Sequence, residues 1–122
     1  MDQFYDVIVI GGGQSGLAVG YYLQKAGINF MILDNQQEAG GAWLHTWYSL
    51  RLFSPANASS LPGWMMPAPN EDYPTRDETI QYLKNYEERY QLPVKRPVQV
   101  RNVNKNEKGI FQLDSSDGQF TC

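Results

Sequence analysis

Three periodicities succeed one another along the chain. Residues 5–10, Tyr-Asp-Val-Ile-Val-Ile, form a continuous β-branched run too short for a helix, which predicts a short buried strand. Residues 14–26 place Leu17, Ala18, Tyr21, Tyr22, Leu23 and Lys25 compatibly with a helix that Gly27 closes. A second strand is expected over residues 29–33, stopping at Asp34. Residues 35–73 keep neither period and are rich in Gly, Pro, Ser, Asn and Trp. Thr75-Arg76-Asp77-Glu78 is a capping box, so a helix starts there, carries an apolar stripe of Ile80, Leu83, Tyr86 and Tyr90, and ends by about residue 91 before Leu92-Pro93. Its charges Glu87, Glu88 and Arg89 read as a solvated face. Residues 94–100 have strand character interrupted by Pro97, which favours an edge or an irregular strand start. Three short strands over 100–104, 109–114 and 119–121, separated by turn-forming stretches, read as an antiparallel meander.

Strand, helix and strand in that order make a βαβ unit, and its glycines and acid have physical tasks. Gly11 allows the sharp turn, Gly13 removes the side chain that would keep a pyrophosphate off the backbone, and Gly16 lets the helix lie close on the sheet. The helix N-terminus supplies free amides and the positive end of a dipole. Asp34, about 20 residues beyond the turn, is placed to accept hydrogen bonds from adenosine ribose hydroxyls. FAD and NAD share the ADP half, so the motif alone does not choose between them. Asn35, Gln36 and Gln37 follow Asp34 where a lysine or arginine would receive a 2′-phosphate, which argues against NADP at this site.

The 122 residues lie within the size of one domain, and 42% hydrophobic with 19% charged residues is the balance of a globular protein. A net charge of −3 gives no basic field for nucleic acid or an anionic membrane. The apolar runs are too short to span a bilayer, and the acidic start Met1-Asp2-Gln3 lacks a basic n-region, so the cytoplasm is the expected compartment. Cys122 is the single cysteine, and His45 the single histidine, without ligand-spaced partners; neither a redox pair nor a metal site is expected.

The irregular segment is far longer than an ordinary connection, and its aromatics Trp43, Trp47, Tyr48, Phe53 and Trp64 speak against disorder. It is expected to pack on something large and flat. Gly40-Gly41-Ala42-Trp43 can bring backbone close to a ligand, and Arg51 is the cation in its middle; an isoalloxazine or its pyrophosphate suits both. Ordinary core packing is the competing account of Trp43, Trp47 and Phe53. Met65 and Met66 read as hydrophobic filler.

Gly11-Gly-Gly-Gln-Ser-Gly16, Gly40-Gly-Ala-Trp43, Trp47, Leu50-Arg-Leu-Phe-Ser-Pro55, Leu61-Pro-Gly-Trp64, Tyr73-Pro-Thr-Arg-Asp-Glu78 and Tyr82-Leu83 together resemble the N-terminal FAD-binding region of flavin-containing monooxygenase-like flavoproteins. The resemblance covers nearly the whole chain. It implies that Gly11, Gly13, Gln14, Ser15 and Gly16 hold the pyrophosphate, and that Asp34, with Asn35 and Gln36, holds the ribose. It further implies that Gly41, Ala42, Trp43, Trp47, Leu50, Arg51 and Leu52 line the pyrophosphate, ribityl chain and flavin, and that backbone at Val100 meets adenine. Family enzymes use NAD(P)H and O₂ to form a flavin hydroperoxide that oxygenates a small molecule.

The fold class that follows is α/β: a Rossmann-like FAD/NAD(P)-binding domain over residues 1–122, a parallel sheet plus a small antiparallel β-meander. It is expected to be incomplete, because a further parallel strand, the second GxGxxG domain and the monooxygenase signature are missing from the sequence. No residue is singled out as catalytic and none as a metal ligand. A disulfide reductase of the same fold would need a cysteine pair after Gly41, where there is none. The other alternative is a non-catalytic dinucleotide-binding or interaction module, dimeric through its unpaired sheet edge.

Overall fold

In the computed structural model, which describes residues 4–67 and 73–122, strand β2 (Phe30–Leu33) divides two cores. Successive residues of a strand face opposite ways. Phe30 and Ile32 accordingly join a cluster with Leu17, Tyr82, Leu83 and Tyr86, while Leu33 joins Tyr5, Val98, Leu113 and Phe120 on the other face. The first cluster lies under helices α1 (Gln14–Lys25) and α3 (Arg76–Arg89), the second under an antiparallel sheet. The result is three layers: helices, parallel sheet, meander.

The parallel sheet has the order β1-β2-β3, with β1 (Val7–Ile10) in register Val7↔Phe30 to Ile10↔Leu33. The expected burial of β1 is only partial: it pairs on one side among the described strands, and Ile10 is 56% exposed. β3 is two residues long, Val94–Lys95, parallel to Ile32 and Leu33. It gives way at Arg96-Pro97, joined by a cis peptide bond, as the proline anticipated. The meander follows as β4 (Val100–Lys105), β5 (Phe111–Ser115) and β6 (Gly118–Thr121), with a register shift between Val100 and Asn102. The acidic start Met1-Asp2-Gln3 and residues 68–72 of the irregular segment, with Pro69, lie outside the described residues. No helix among the described residues is long and apolar enough to cross a membrane.

The capping box forms as the sequence dictates. Glu78 N donates to Thr75 Oγ1 at 3.1 Å and Thr75 N donates to Glu78 Oε1 at 3.0 Å. The buried stripe of α3 is Thr79, Tyr82, Leu83 and Tyr86, rotated slightly from the expected one, with Ile80 and Tyr90 half-buried. Its tyrosines organise the irregular segment, whose regular pieces are a 3₁₀ turn (Gly41–His45) and the one-turn helix α2 (Ala56–Ser59). Tyr82 Oη donates to the Trp64 carbonyl and accepts from Leu61 N, and Tyr86 Oη donates to the Pro62 carbonyl. Trp64 stacks on Tyr82 at 5.1 Å between ring centroids, and Arg89 lies over Trp64. Met66 is buried beneath this loop, whereas Met65 is 66% exposed and does not fill the core.

Burial raises the Tyr86 phenol above its ordinary pKa of 10.0, and Tyr90, Tyr82, Tyr21 and Tyr22 reinforce the shift; Tyr82 is raised mainly by burial. The unfolded chain therefore ionises first. Stability is intact below pH 10.0 and falls as pH rises beyond it, by about 1.4 kcal/mol per pH unit for Tyr86, and Tyr82 acts in the same direction. Urea unfolding midpoints measured across that range should decline, and Tyr86→Phe should make the decline shallower. Identical slopes for the two proteins would count against this account.

Candidate functional site

The site begins where β1 stops. Gly11 has φ of 106°, a conformation open to glycine, and its N–H donates to Leu33 O at 2.8 Å, so the chain leaves the sheet beside the end of β2. A Cβ on Gly16 would lie 1.9 Å from the Gly11 carbonyl oxygen and 3.6 Å from Val9 Cγ1. Helix and strand therefore meet at Gly16, as the motif requires. One turn later a Cβ on Gly20 would come within 3.0 Å of Ile32 Cδ1, a second close approach outside the motif.

Gly13 is the N-cap of α1. No side chain caps that end, no acidic residue occupies its first turn, and Gln14 and Ser15 are exposed. The leading amides and the positive end of the dipole thus face outward. Across from them stands the second glycine turn. Gly41 has φ of 54°, and a Cβ there would lie 2.8 Å from Gly13 Cα, so two bare backbones are in contact. Beside this contact a depression of about 280 Å³ is lined by Gly11, Gly13, Gln14, Ser15 and Gly16 on one side and by Ile10, Gly40, Ala42 and Trp43 on the other. Trp43 Nε1 donates to Gln14 Oε1 at 3.5 Å, and its ring packs partly against the first core. The depression suits a small anion on a flat organic group: backbone donors on one wall, an indole on another.

Asp34, 3% exposed, ends β2. The register Leu33↔Lys95 sets the next residue, Arg96, beside it, and Arg96 Nε donates to Asp34 Oδ2 at 2.6 Å. The same guanidinium donates through Nη1 and Nη2 to Glu87 Oε1 and Oε2, both at 2.7 Å. Burial opposes the charge on Arg96, but hydrogen bonds and Coulomb attraction from Glu87 and Asp34 outweigh it and hold its pKa above the ordinary value. Glu87 is therefore half of an ion pair and not part of a solvated face, and Arg89 caps Trp64. A cation does neighbour Asp34 in space, although none does along the chain. The trio still carries a net charge of −1, which disfavours a 2′-phosphate.

Beyond Asp34 a polar side-chain row runs towards the meander. His45 Nε2 and Gln36 Oε1 are 2.6 Å apart, Gln36 Nε2 donates to Asn35 Oδ1, and Asn35 Nδ2 donates to Gln99 Oε1, each of the last two at 3.0 Å. Gln99 leads into Val100, so the residues named for ribose and adenine are linked. The remaining expected residues separate. Residues 50–52 run antiparallel to residues 74–76, with an Arg51↔Thr75 bridge, and adjacent side chains face opposite ways. Leu52 turns into the core, whereas Leu50 and Arg51 line a different depression, of about 350 Å³, with Tyr48, Ser49, Thr75 and Asp77. Trp47 is 65% and Phe53 94% exposed, so core packing does not account for either. Among the described residues no three His, Cys, Asp or Glu side chains converge as a metal site.

The pyridine nucleotide-disulphide oxidoreductase family model matches residues 8–122. A flavin-containing monooxygenase from Stenotrophomonas maltophilia is 49% identical over 99% of this chain and 36% of its own, with a TM-score of 0.93. The uncharacterized oxidoreductase CzcO of Bacillus velezensis is 43% identical over 95% of this chain and 33% of its length. Indole-3-pyruvate monooxygenase YUCCA6 of Arabidopsis thaliana is 31% identical over 70% of this chain and 21% of its length. The chain thus spans about a third of the length of the first two.

Proposed function

Because the chain belongs to the pyridine nucleotide-disulphide oxidoreductase family, we propose that it is the FAD-binding portion of an NAD(P)H-dependent flavin monooxygenase-type oxidoreductase acting on a small molecule. FAD and NADP(H) serve this family. The observation that carries the reading is the contact of two side-chain-free turns, Gly13 and Gly41, in front of an uncapped helix end. A pyrophosphate needs close backbone approach and free amides, and this cradle offers both, while a Cβ on Gly41 would press on Gly13 and a branched side chain on Gly13 would reach into the cradle. Gly11, Gly13, Gln14, Ser15 and Gly16 would hold the pyrophosphate, Asp34, Asn35 and Gln36 the ribose, and Gly41, Ala42 and Trp43 the diphosphate-to-flavin stretch. Bound FAD would supply the redox chemistry, accepting hydride from the nicotinamide and delivering electrons to O₂. The protein's share is to bind, orient and keep water from it. Val100, Trp47, Leu50, Arg51 and Leu52 complete the proposed set; exposed Trp47 offers a flat face to an aromatic ligand, and Leu52 acts from the core by fixing residues 50–52.

The family's name includes disulphide chemistry, but this sequence holds one cysteine, Cys122, and no dithiol can form within it. The reading places the chain in the cytoplasm, where nicotinamide reductants are regenerated, and allows a homodimer through the side of β1 that no described strand pairs. Titration of the purified chain with FAD should give saturable fluorescence quenching and a perturbed flavin spectrum at one equivalent. An unperturbed spectrum at millimolar FAD would remove the proposal. NADPH consumption coupled to oxygen uptake then separates an enzyme from a module that only binds.

A further inference from the structure

Resting on the dinucleotide site proposed above, we propose that Arg96 is a positioning residue: clamped by Glu87, it fixes the Asp34 carboxylate as an oriented acceptor for the ribose hydroxyls of an adenine nucleotide. The guanidinium has a planar fork of donors. Glu87 takes both terminal nitrogens at 2.7 Å, so the plane cannot rotate, and the remaining Nε–H meets Asp34 Oδ2 at 2.6 Å. Side-chain exposures of 12% for Arg96, 4% for Asp34 and 17% for Glu87 put the trio away from bulk screening. Asp34 Oδ1 has no donor among the described residues and is not sealed from solvent. One oxygen is thus anchored and the other left for a ligand.

Gly12, between the motif glycines, makes room for this. A Cβ there would lie 2.9 Å from Asp34 Oδ2 and 3.1 Å from Arg96 Nη2, so the turn that presents the helix amides also roofs the ion pair. Sugar and phosphate recognition share a wall. A buried pair of this kind adds little net stability; what it supplies is direction, and a pre-oriented acceptor lowers the ordering cost of binding.

The test compares ADP with 2′,3′-dideoxyadenosine 5′-diphosphate by calorimetry on the chain as it stands. The native protein should prefer ADP by about 10- to 100-fold, as for hydrogen bonds to a charged acceptor. Arg96→Met should shrink that ratio to about threefold or less, with dideoxy affinity held within about twofold. Should Arg96→Met not fold, Glu87→Gln decides the matter: it keeps the side chain's size, removes the charge and one of the clamp's two acceptors, and should lower the ratio by about threefold. If the native protein binds neither nucleotide, the site reading falls and this inference with it. If it prefers ADP and the variants keep the full preference, or lose both affinities equally, the site stands and Arg96 is a structural tie only.

Discussion

Gly13→Val is expected to lower affinity for FAD and for ADP by at least about 100-fold, roughly 2.7 kcal/mol, while far-ultraviolet circular dichroism and the urea midpoint stay near native. The reason is local. Gly13 has φ of −85°, which valine adopts freely, and a Cβ there would find only Gly41 Cα, at 3.9 Å. The fold therefore has room for a first carbon. The two γ carbons of valine would extend into the space between the glycine turns, where the diphosphate must touch backbone amides, and no rearrangement of a flexible neighbour can relieve that. Nucleotide binding retained to within about threefold would show that the anion sits elsewhere.

Gly16→Ala should do the reverse damage. Its Cβ would stand 1.9 Å from the Gly11 carbonyl oxygen, an atom of the backbone that cannot swing aside as a side chain would. Either β1 and α1 separate or the turn unwinds, and both outcomes open the contact between Val9 and the helix. A loss of at least about 2–3 kcal/mol is expected, a large share of the 5–15 kcal/mol that holds a typical domain. Equilibrium unfolding in urea reads it directly. A variant as stable as the native protein would mean that the turn is built otherwise. The two glycines are three residues apart and belong to one motif, yet a carbon added to Gly13 finds room and one added to Gly16 strikes backbone.

The contrast also shows where sequence reading succeeds. The turn at Gly11, the close approach at Gly16 and the Thr75–Glu78 box depend on near neighbours, so the local pattern carries them. The pairing of Asp34 with Arg96 bridges 62 residues and depends on the parallel register of β2 and β3, which no short window contains. Glu87 reads as solvated for the same reason: on the helix it is one of three charges in a row, and only the returning chain supplies its partner. The division of Leu52 from Arg51 was hidden because their extended pairing with residues 74–76 starts inside a stretch without visible period. The meander was legible because turn residues punctuate it.

The tyrosine hydroxyls of α3 grip carbonyl oxygens of Pro62 and Trp64 and leave those residues' side chains out of the bond. Every amino acid carries that oxygen. The path of the loop is thus insulated in part from its own spelling: position 62 can change identity while the bend it traces stays put, so long as Tyr86 remains, whereas at 64 the indole adds its own hold through Tyr82. Evolution, or a designer, can therefore redecorate this flank of the protein without having to rebuild the wall beneath.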